Sequence, residues 1–253
     1  MAFPVFVHAV NSATGDAAWP VEGQGWNECG CTAASNAANL LAQAQRYRKD
    51  DFVREAGVFF QPQWGGTPSP VTTWLLKRHG FGTHFGNLQR TDYEAVLRDL
   101  IDRGVPVIIE LGMVKMGSVA VSGQHSVVLV GYSEPFHDQS GQLREEYYIV
   151  DAQWPALGQF SLASNNRDFN GDGVVEEFPG NRTLTRAELS IAYPMRTYFP
   201  VFATQADHDA WYSRHIGVDS GFPLFGGLAG QFVTGSRDIW LGTQGQAEPL
   251  PSA

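Results

Sequence analysis

Residues 23–41 read GQGWNECGCTAASNAANLL and join a glutamine, two cysteines and an alanine-rich segment. Gly25 and Gly30 indicate a loop in the first part, whereas residues 32–45 contain no Pro or Gly and are dense in helix-forming residues. The sequence therefore predicts a helix over this segment, with Cys29 just before it. Unpaired N–H groups and the dipole at a helix N-terminus stabilise a thiolate and lower its pKa. A cysteine nucleophile would be placed here.

The second cysteine, Cys31, is a rival nucleophile, and the helical register favours Cys29. A free cysteine most often behaves as a small buried hydrophobe, so a cysteine alone does not establish catalysis. With Cys29 as reference, four polar residues recur at helical spacing and leave four apolar residues for burial. The polar residues are Thr32, Ser35, Asn36 and Asn39, and the apolar residues are Ala34, Ala37, Ala38 and Leu41.

The composition excludes several classes of protein. At 253 residues and 43% hydrophobic, the chain can bury a full core, and its net charge of -9 argues against nucleic acid or an anionic membrane as partner. The two cysteines are too close in sequence for an unstrained disulfide, which suits a reducing compartment without excluding secretion. The N-terminus has no basic region and only a short apolar run, so we expect neither a signal peptide nor a membrane span, and a cytoplasmic location by default.

A histidine stands at the start of the next informative segment, residues 123–132, which read GQHSVVLVGY. The apolar run predicts a buried strand with His125 at its mouth. An imidazole that titrates near neutral pH can accept a thiol proton and later protonate a leaving amine. A single histidine beside an apolar strand usually has a structural role, so the assignment depends on its combination with the cysteine.

An acid ends the following strand, in residues 147–155, which read YYIVDAQWP. Residues 134–145 are polar and predict a hairpin connection between the two strands. In an antiparallel pair the end of the second strand comes near the beginning of the first, so Asp151 can reach the imidazole of His125. The alternative is an ordinary acid in a turn at the end of a strand.

Together, these segments resemble papain-like cysteine peptidases, more closely the bacteriocin-processing (double-glycine leader) type and its stand-alone bacterial relatives. The resemblance rests on Cys29-Gly30 before a helix, on the Gly-x-His segment ending at His125, and on Asp151 after the next strand. It implies an α+β papain-like fold, with N-terminal helices packed on a C-terminal antiparallel β-sheet. We assign residues 1–200 to this domain and residues 201–253 to a C-terminal extension of unassigned role.

The resemblance also implies the chemistry. Asp151 would fix the ring of His125, His125 would activate the Cys29 thiol, and the thiolate would attack an acyl carbon. Gln24 lies where the family keeps its oxyanion glutamine and would act with the backbone N–H of Cys29. The expected activity is hydrolysis of peptide bonds in a peptide or protein substrate, without a catalytic cofactor. Acyl transfer to an amine, or a catalytically silent calcium-stabilised binding module, are the alternatives.

A separate pattern predicts a structural calcium site in residues 168–177, which read DFNGDGVVEE. Alternate oxygen donors with glycine at the sixth position resemble the start of an EF-hand-type loop. The alternative is an acidic turn without metal. A calcium site would also be compatible with a secreted protein. The predicted ligands are the side chains of Asp168, Asn170 and Asp172, the carbonyl of Val174, and Glu177 (or its neighbour Glu176) closing the site.

Overall fold

The computed structural model describes most of the chain, with gaps. The described residues are 5–6, 20–25, 27–62, 66–88, 92–112, 114–116, 119–121, 125–138, 140–152, 160–162, 182–193, 196–215, 240–241 and 247–248. Their α-helices are α1 (Cys29–Ala42), α2 (Lys49–Ala56), α3 (Ser69–Arg78), α4 (Tyr93–Asp102), α5 (Arg186–Ala192) and α6 (Gln205–Tyr212), and a 3₁₀-helix covers Gly57–Phe59. Their strands are β1 (Val5–Phe6), β2 (Pro20–Glu22), β3 (Gly86–Asn87), β4 (Val107–Leu111), β5 (Val114–Met116), β6 (Val119–Val121), β7 (His125–Tyr132), β8 (Phe136–His137), β9 (Leu143–Arg144), β10 (Glu146–Val150), β11 (Phe160–Leu162), β12 (Arg182–Thr185), β13 (Thr197–Pro200), β14 (Trp240–Leu241) and β15 (Ala247–Glu248).

One antiparallel sheet organises the described residues. Its strands follow the order β12-β10-β7-β4-β13-β3, and β1 pairs with the end of β7 that lies beyond β4. β7 is buried along its whole length and has β10 on one side and β4 on the other. The hairpin of β7 and β10 is the one that the sequence predicts, and the polar connection between them forms the small β8-β9 ribbon.

Both faces of the sheet are covered, which explains the continuous apolar strands. Along β4 and β7, alternate residues such as Ile108 and Val128 join a core with α1, α2 and α3. Their neighbours, such as Ile109 and Val127, join a second core with α4 and α5. The fold is α+β, with helices packed on an antiparallel sheet as predicted. The second helical layer is additional to that prediction.

Helix α1 departs from its prediction in two ways. It begins at Cys29 itself, and its residues from Gly30 to Leu40 are all buried, so the predicted polar stripe faces protein and not solvent. Asn36 and Ser35 hydrogen-bond to Glu22, and Asn39 accepts from the backbone N–H of Tyr47 at 2.8 Å. Burial of these polar groups is tolerated because each has a partner, and the pattern alone does not reveal such distant partners.

Local sequence sets the ends of three other helices. Helix α2 stops at Ala56, because Gly57 adopts a φ of +52° and a 3₁₀ turn follows. In α4 the cap is Asp92, whose carboxylate accepts the N–H of Ala95. Helix α5 begins with a full capping box between Thr185 and Glu188.

Helix α6 lies beyond the predicted domain boundary at residue 200. Its Trp211 packs into the second core beside Phe202, and the Trp211 indole donates to Asp99 at 2.9 Å. The boundary between residues 1–200 and 201–253 stays a prediction. None of the helices in the described part of the chain has the length and apolar character that crossing a membrane requires.

Candidate active site

Three of the four predicted catalytic residues lie at the ends of elements that pack together. Cys29 begins α1, His125 begins β7, and Asp151 directly follows β10. Helix α1 packs on β7, and β10 pairs with β7 so that Val150 lies opposite Val128. Because β10 ends where β7 begins, the predicted approach of Asp151 to His125 occurs.

The imidazole of His125 is fixed by a buried carboxylate. His125 Nε2 lies 2.8 Å from Oδ1 of Asp151, and the Asp151 side chain has no solvent exposure. The other oxygen of Asp151, Oδ2, accepts from Nη1 of Arg182 at 2.7 Å. Arg182 is buried and opens β12, the strand next to β10. Its proximity to the site has no signal in the local sequence, because strand order alone brings it there.

The thiol of Cys29 interacts with the same ring. The His125 side chain hydrogen-bonds to the thiol, and the backbone N–H of Ser126 donates to its sulfur. Since Nε2 of His125 faces Asp151, Nδ1 is the ring nitrogen left to hydrogen-bond to the Cys29 sulfur. Burial opposes ionisation of Cys29, but the hydrogen bond and positive charge of His125, with the Ser126 N–H, lower its pKa below the ordinary value.

The pKa of His125 moves in the opposite direction. Burial lowers it, but the charge and hydrogen bond of Asp151, together with the contact to Cys29, raise the pKa of His125 to about 9. A raised imidazole pKa beside a lowered thiol pKa favours transfer of the thiol proton to the ring. The arrangement therefore favours a thiolate–imidazolium pair at neutral pH.

Cys31, the rival nucleophile, lies in a different environment. Its side chain is fully buried, and its Sγ shares a hydrogen bond with Oγ1 of Thr67 at 3.1 Å. Burial raises the pKa of the Cys31 thiol to about 12, with only a partial offset from Thr67. These are the properties of an inert structural cysteine.

Gln24 is hydrogen-bonded to the segment that follows β10 and contains Asp151. Its backbone N–H donates to the carbonyl of Ala152 at 3.3 Å, directly after Asp151. Its side-chain oxygen is buried and has no hydrogen-bond partner among the described residues. The loop between Gln24 and the helix is closed by Glu28, whose carboxylate accepts the N–H of Gly25 at 2.6 Å and also binds Lys49.

Two glycines permit close packing around the start of α1. A Cβ on Gly30 would lie 3.1 Å from Oγ1 of Thr72, so glycine after Cys29 lets α1 approach α3 closely. Gly66 has a φ of +86°, and a Cβ there would lie 1.9 Å from the carbonyl oxygen of Asn27. A side chain at position 66 would therefore displace the loop that precedes Cys29.

A second buried carboxyl lies near the thiol and was not singled out from the sequence. Glu110 interrupts the apolar run of β4 and lies opposite Ser126 in β7. It hydrogen-bonds to the hydroxyl groups of Ser69 and Thr197, the latter at 2.8 Å. Burial raises the pKa of Glu110. A negative charge on Glu110 would oppose ionisation of Cys29.

The predicted calcium ligands Asp168, Asn170, Asp172, Val174 and Glu177 lie outside the described residues. Within the described ranges, no group of three or more His, Cys, Asp or Glu side chains is placed to hold a metal ion. The calcium site stays a prediction.

Fold and site together define the class of protein. An α+β fold in which a buried helix begins at a cysteine and packs on an antiparallel strand that begins at a histidine is consistent with the papain-like cysteine peptidases. The model of the Peptidase_C39 like family matches residues 8–160, and the chain belongs to this family. The match includes Cys29, His125 and Asp151 and stops before Arg182. A comparison with curated proteins finds no significant match.

Proposed function

We propose that this protein is a cysteine peptidase that cleaves peptide bonds with Cys29 as nucleophile, His125 as acid and base, and Asp151 as the residue that orients the ring. The main support is the position of His125, whose two ring nitrogens serve the Cys29 thiol and the Asp151 carboxylate. Membership of a peptidase family supports the same activity.

The mechanism follows from these positions. The Cys29 thiolate forms a bond to the carbonyl carbon of the substrate, and the electron pair of the C=O bond moves to oxygen. When the carbonyl re-forms, the C–N bond breaks, and the imidazolium of His125 gives its proton to the leaving amine. A thioester remains on Cys29. His125 then takes a proton from water, the hydroxide adds to the thioester, and the carboxylic acid leaves as the thiol is restored.

Two donors serve the oxyanion in this proposal, the amide of Gln24 and the backbone N–H of Cys29 at the start of α1. The helix N-terminus supplies a positive potential that favours negative charge on that oxygen. The bond from Gln24 to Ala152 supports the assignment, because it keeps the glutamine on the structure that carries Asp151. Gln24→Ala should lower kcat by about a hundredfold with little change in the labelling of Cys29.

The test of peptidase activity uses a mixture of peptides from a digested protein, incubated in H₂¹⁸O with glycinamide added. Hydrolysis gives new C-terminal carboxylates that carry ¹⁸O, whereas transfer to the amine gives glycinamide adducts without it. Cys29→Ala is the control for both products. If the glycinamide adducts exceed the ¹⁸O-labelled carboxylates, the protein is an acyltransferase that uses the same residues, and the peptidase proposal is wrong. Equal amounts of product from wild type and Cys29→Ala would reject both activities for Cys29.

The closer resemblance to double-glycine leader peptidases suggests the first defined substrates. Peptides with Gly-Gly before the scissile bond should be cleaved faster than matched peptides with Ala-Ala, because glycine has no side chain to obstruct a close approach to the substrate backbone. Equal rates for the two sets would reject this substrate preference and leave the peptidase proposal intact.

We also propose that residues 168–177 bind Ca²⁺, on the strength of the spacing of their oxygen donors. Isothermal titration of the chelator-treated protein with CaCl₂ should show one site. Replacement of a ligand, Asp172→Asn, should weaken binding by tenfold or more, whereas Asp138→Asn in the β8-β9 ribbon is the matched acidic control. Binding that is equal in both variants, or absent from wild type, would reject the site.

A further inference from the structure

Arg182 is a buried cation in direct contact with the candidate triad. Its Nη1 lies 2.7 Å from Oδ2 of Asp151, and its side chain is 2% exposed. The register of β10 and β12 pairs Arg182 with Ile149, two residues before Asp151, so the guanidinium reaches along β10 to the carboxylate. Asp151 thus divides its oxygens between His125 and Arg182.

The charge balance of the site depends on this contact. When the thiol proton lies on the ring, Cys29 and Asp151 are negative and His125 and Arg182 are positive, so the four groups sum to zero. Without the guanidinium the same state would leave one net negative charge in a buried site, which is costly. The site could avoid that cost by keeping the thiol protonated or by protonating Asp151.

Glu110 illustrates the alternative within the same protein. Its carboxyl is also buried and hydrogen-bonds to the hydroxyls of Ser69 and Thr197, and burial raises its pKa. Burial thus makes Glu110 harder to ionise than a free carboxyl, whereas Asp151 has a guanidinium and an imidazole beside it. The two cationic partners therefore distinguish the surroundings of Asp151 from those of Glu110.

We propose that Arg182 is a positioning residue that keeps Asp151 ionised and oriented, so that Cys29 can carry a thiolate beside the protonated ring of His125 at neutral pH. The planar guanidinium holds Oδ2 and leaves Oδ1 directed at His125. The proposal rests on the proposed active site but not on the identity of the substrate, because ionisation of Cys29 can be measured without turnover.

The experiment measures the rate at which limiting iodoacetamide alkylates Cys29 between pH 4 and 9, by intact mass with peptide mapping. In wild type the rate should reach a plateau well below the ordinary thiol pKa of about 8.5. Arg182→Gln should shift the acid limb to higher pH by about one unit or more, so that labelling on that limb falls about tenfold. Arg182→Lys keeps the charge without the planar geometry and should shift it less.

The matched control is Arg186→Gln. Arg186 lies in the same segment but contacts Glu94 and Glu145 at the surface, away from Asp151. It should leave the labelling profile unchanged. Circular dichroism and thermal melting identify which variants are folded. A folded Arg182→Gln with the wild-type profile, or an equal shift in Arg186→Gln, would overturn the proposal. If Arg182→Gln does not fold, Arg182→Lys provides the test. A labelling profile of Arg182→Lys that superimposes on that of wild type would then overturn the proposal.

The outcomes separate this proposal from the proposed peptidase function. Rapid labelling at pH 6 that is lost in Arg182→Gln supports the role of Arg182 even if no peptide is cleaved. Peptide cleavage that persists with an unshifted labelling profile in Arg182→Gln supports the peptidase and overturns the role of Arg182.

Discussion

Cys29 and Cys31 lie two residues apart in the first turn of α1, yet their thiols differ in every property that governs reactivity. Cys29 is half-buried, contacts His125 and Ser126, and has a lowered pKa. Cys31 is fully buried, contacts Thr67, and has a pKa raised to about 12. Both experience the same helix terminus, so the helix dipole cannot account for the difference. The decisive factor is the part of the fold that each thiol faces, the start of β7 in one case and Thr67, just before α3, in the other.

The largest expected effect separates the two cysteines by activity. Cys29→Ala should reduce peptide cleavage by more than about a thousandfold, because no other group can form the thioester. Cys31→Ala should retain most of the activity, since its thiol is neutral and contacts a structural hydroxyl. Initial rates on one peptide substrate measure both. Loss of activity in a folded Cys31→Ala with retention in Cys29→Ala would reverse the assignment.

The next effect tests whether contact with β7 lowers the pKa of the Cys29 thiol. In His125→Ala the Cys29 thiol should return towards an ordinary pKa of about 8.5, so that alkylation at pH 6 falls by about a hundredfold. His137→Ala, in the exposed β8-β9 ribbon, is the control and should label like wild type. If His125→Ala labels as fast as wild type at pH 6, the helix terminus and not the histidine activates the thiol.

A pH dependence follows from the raised pKa of His125. The ring should hold the proton for the leaving amine up to about pH 9, and above this pH the rate of acylation should fall about tenfold per unit. The contribution of the His125–Asp151 contact to the free energy of unfolding should also fall as pH rises. It is fully present below the unfolded-state pKa of about 6.5 and is lost as pH rises through about 9. Single-turnover rates and thermal melts from pH 6 to 10 measure both, and a rate that is constant to pH 10 would contradict this account.

The smallest effect concerns Cys31. Thr67→Val removes the hydroxyl that hydrogen-bonds to Cys31 and should cost about 1 kcal/mol of stability, the usual net value of such a bond. Labelling of Cys29 at pH 6 should not change, because Thr67 acts on the other thiol. Urea denaturation and alkylation of the same preparation provide the two readouts. A Thr67→Val variant that labels at two sites at pH 6 would show that burial does not keep Cys31 unreactive.

The sequence predicts the parts of this site that depend on short-range pattern. Cys29 is placed by a loop-to-helix transition, and His125 and Asp151 are placed by two strands of one hairpin. Arg182, Thr67 and Glu110 could not be found in this way, because their contacts depend on which strands and helices become neighbours. Arg182 follows Asp151 by 31 residues and reaches it only because β12 forms the edge beside β10.

The same distinction explains the errors in α1. Its helical character follows from composition, but the burial of Asn36 and Asn39 depends on partners at Glu22 and Tyr47, outside the helix. A polar stripe predicts solvent exposure unless such partners are known. The calcium ligands and the assignment of residues 201–253 to a C-terminal extension stay predictions, because they rest on local pattern alone.

The hairpin that carries His125 and Asp151 also has a practical consequence for engineering. Both residues lie at its open end, whereas the turn at residues 138–141 lies at the other, roughly 30 Å of extended chain from Asp151 at about 3.3 Å per residue. A reporter peptide or affinity tag inserted in that turn would lengthen the hairpin where no site residue is anchored. We expect such an insertion to leave the alkylation rate of Cys29 unchanged, which makes this turn the preferred attachment point for a sensor or a surface linkage.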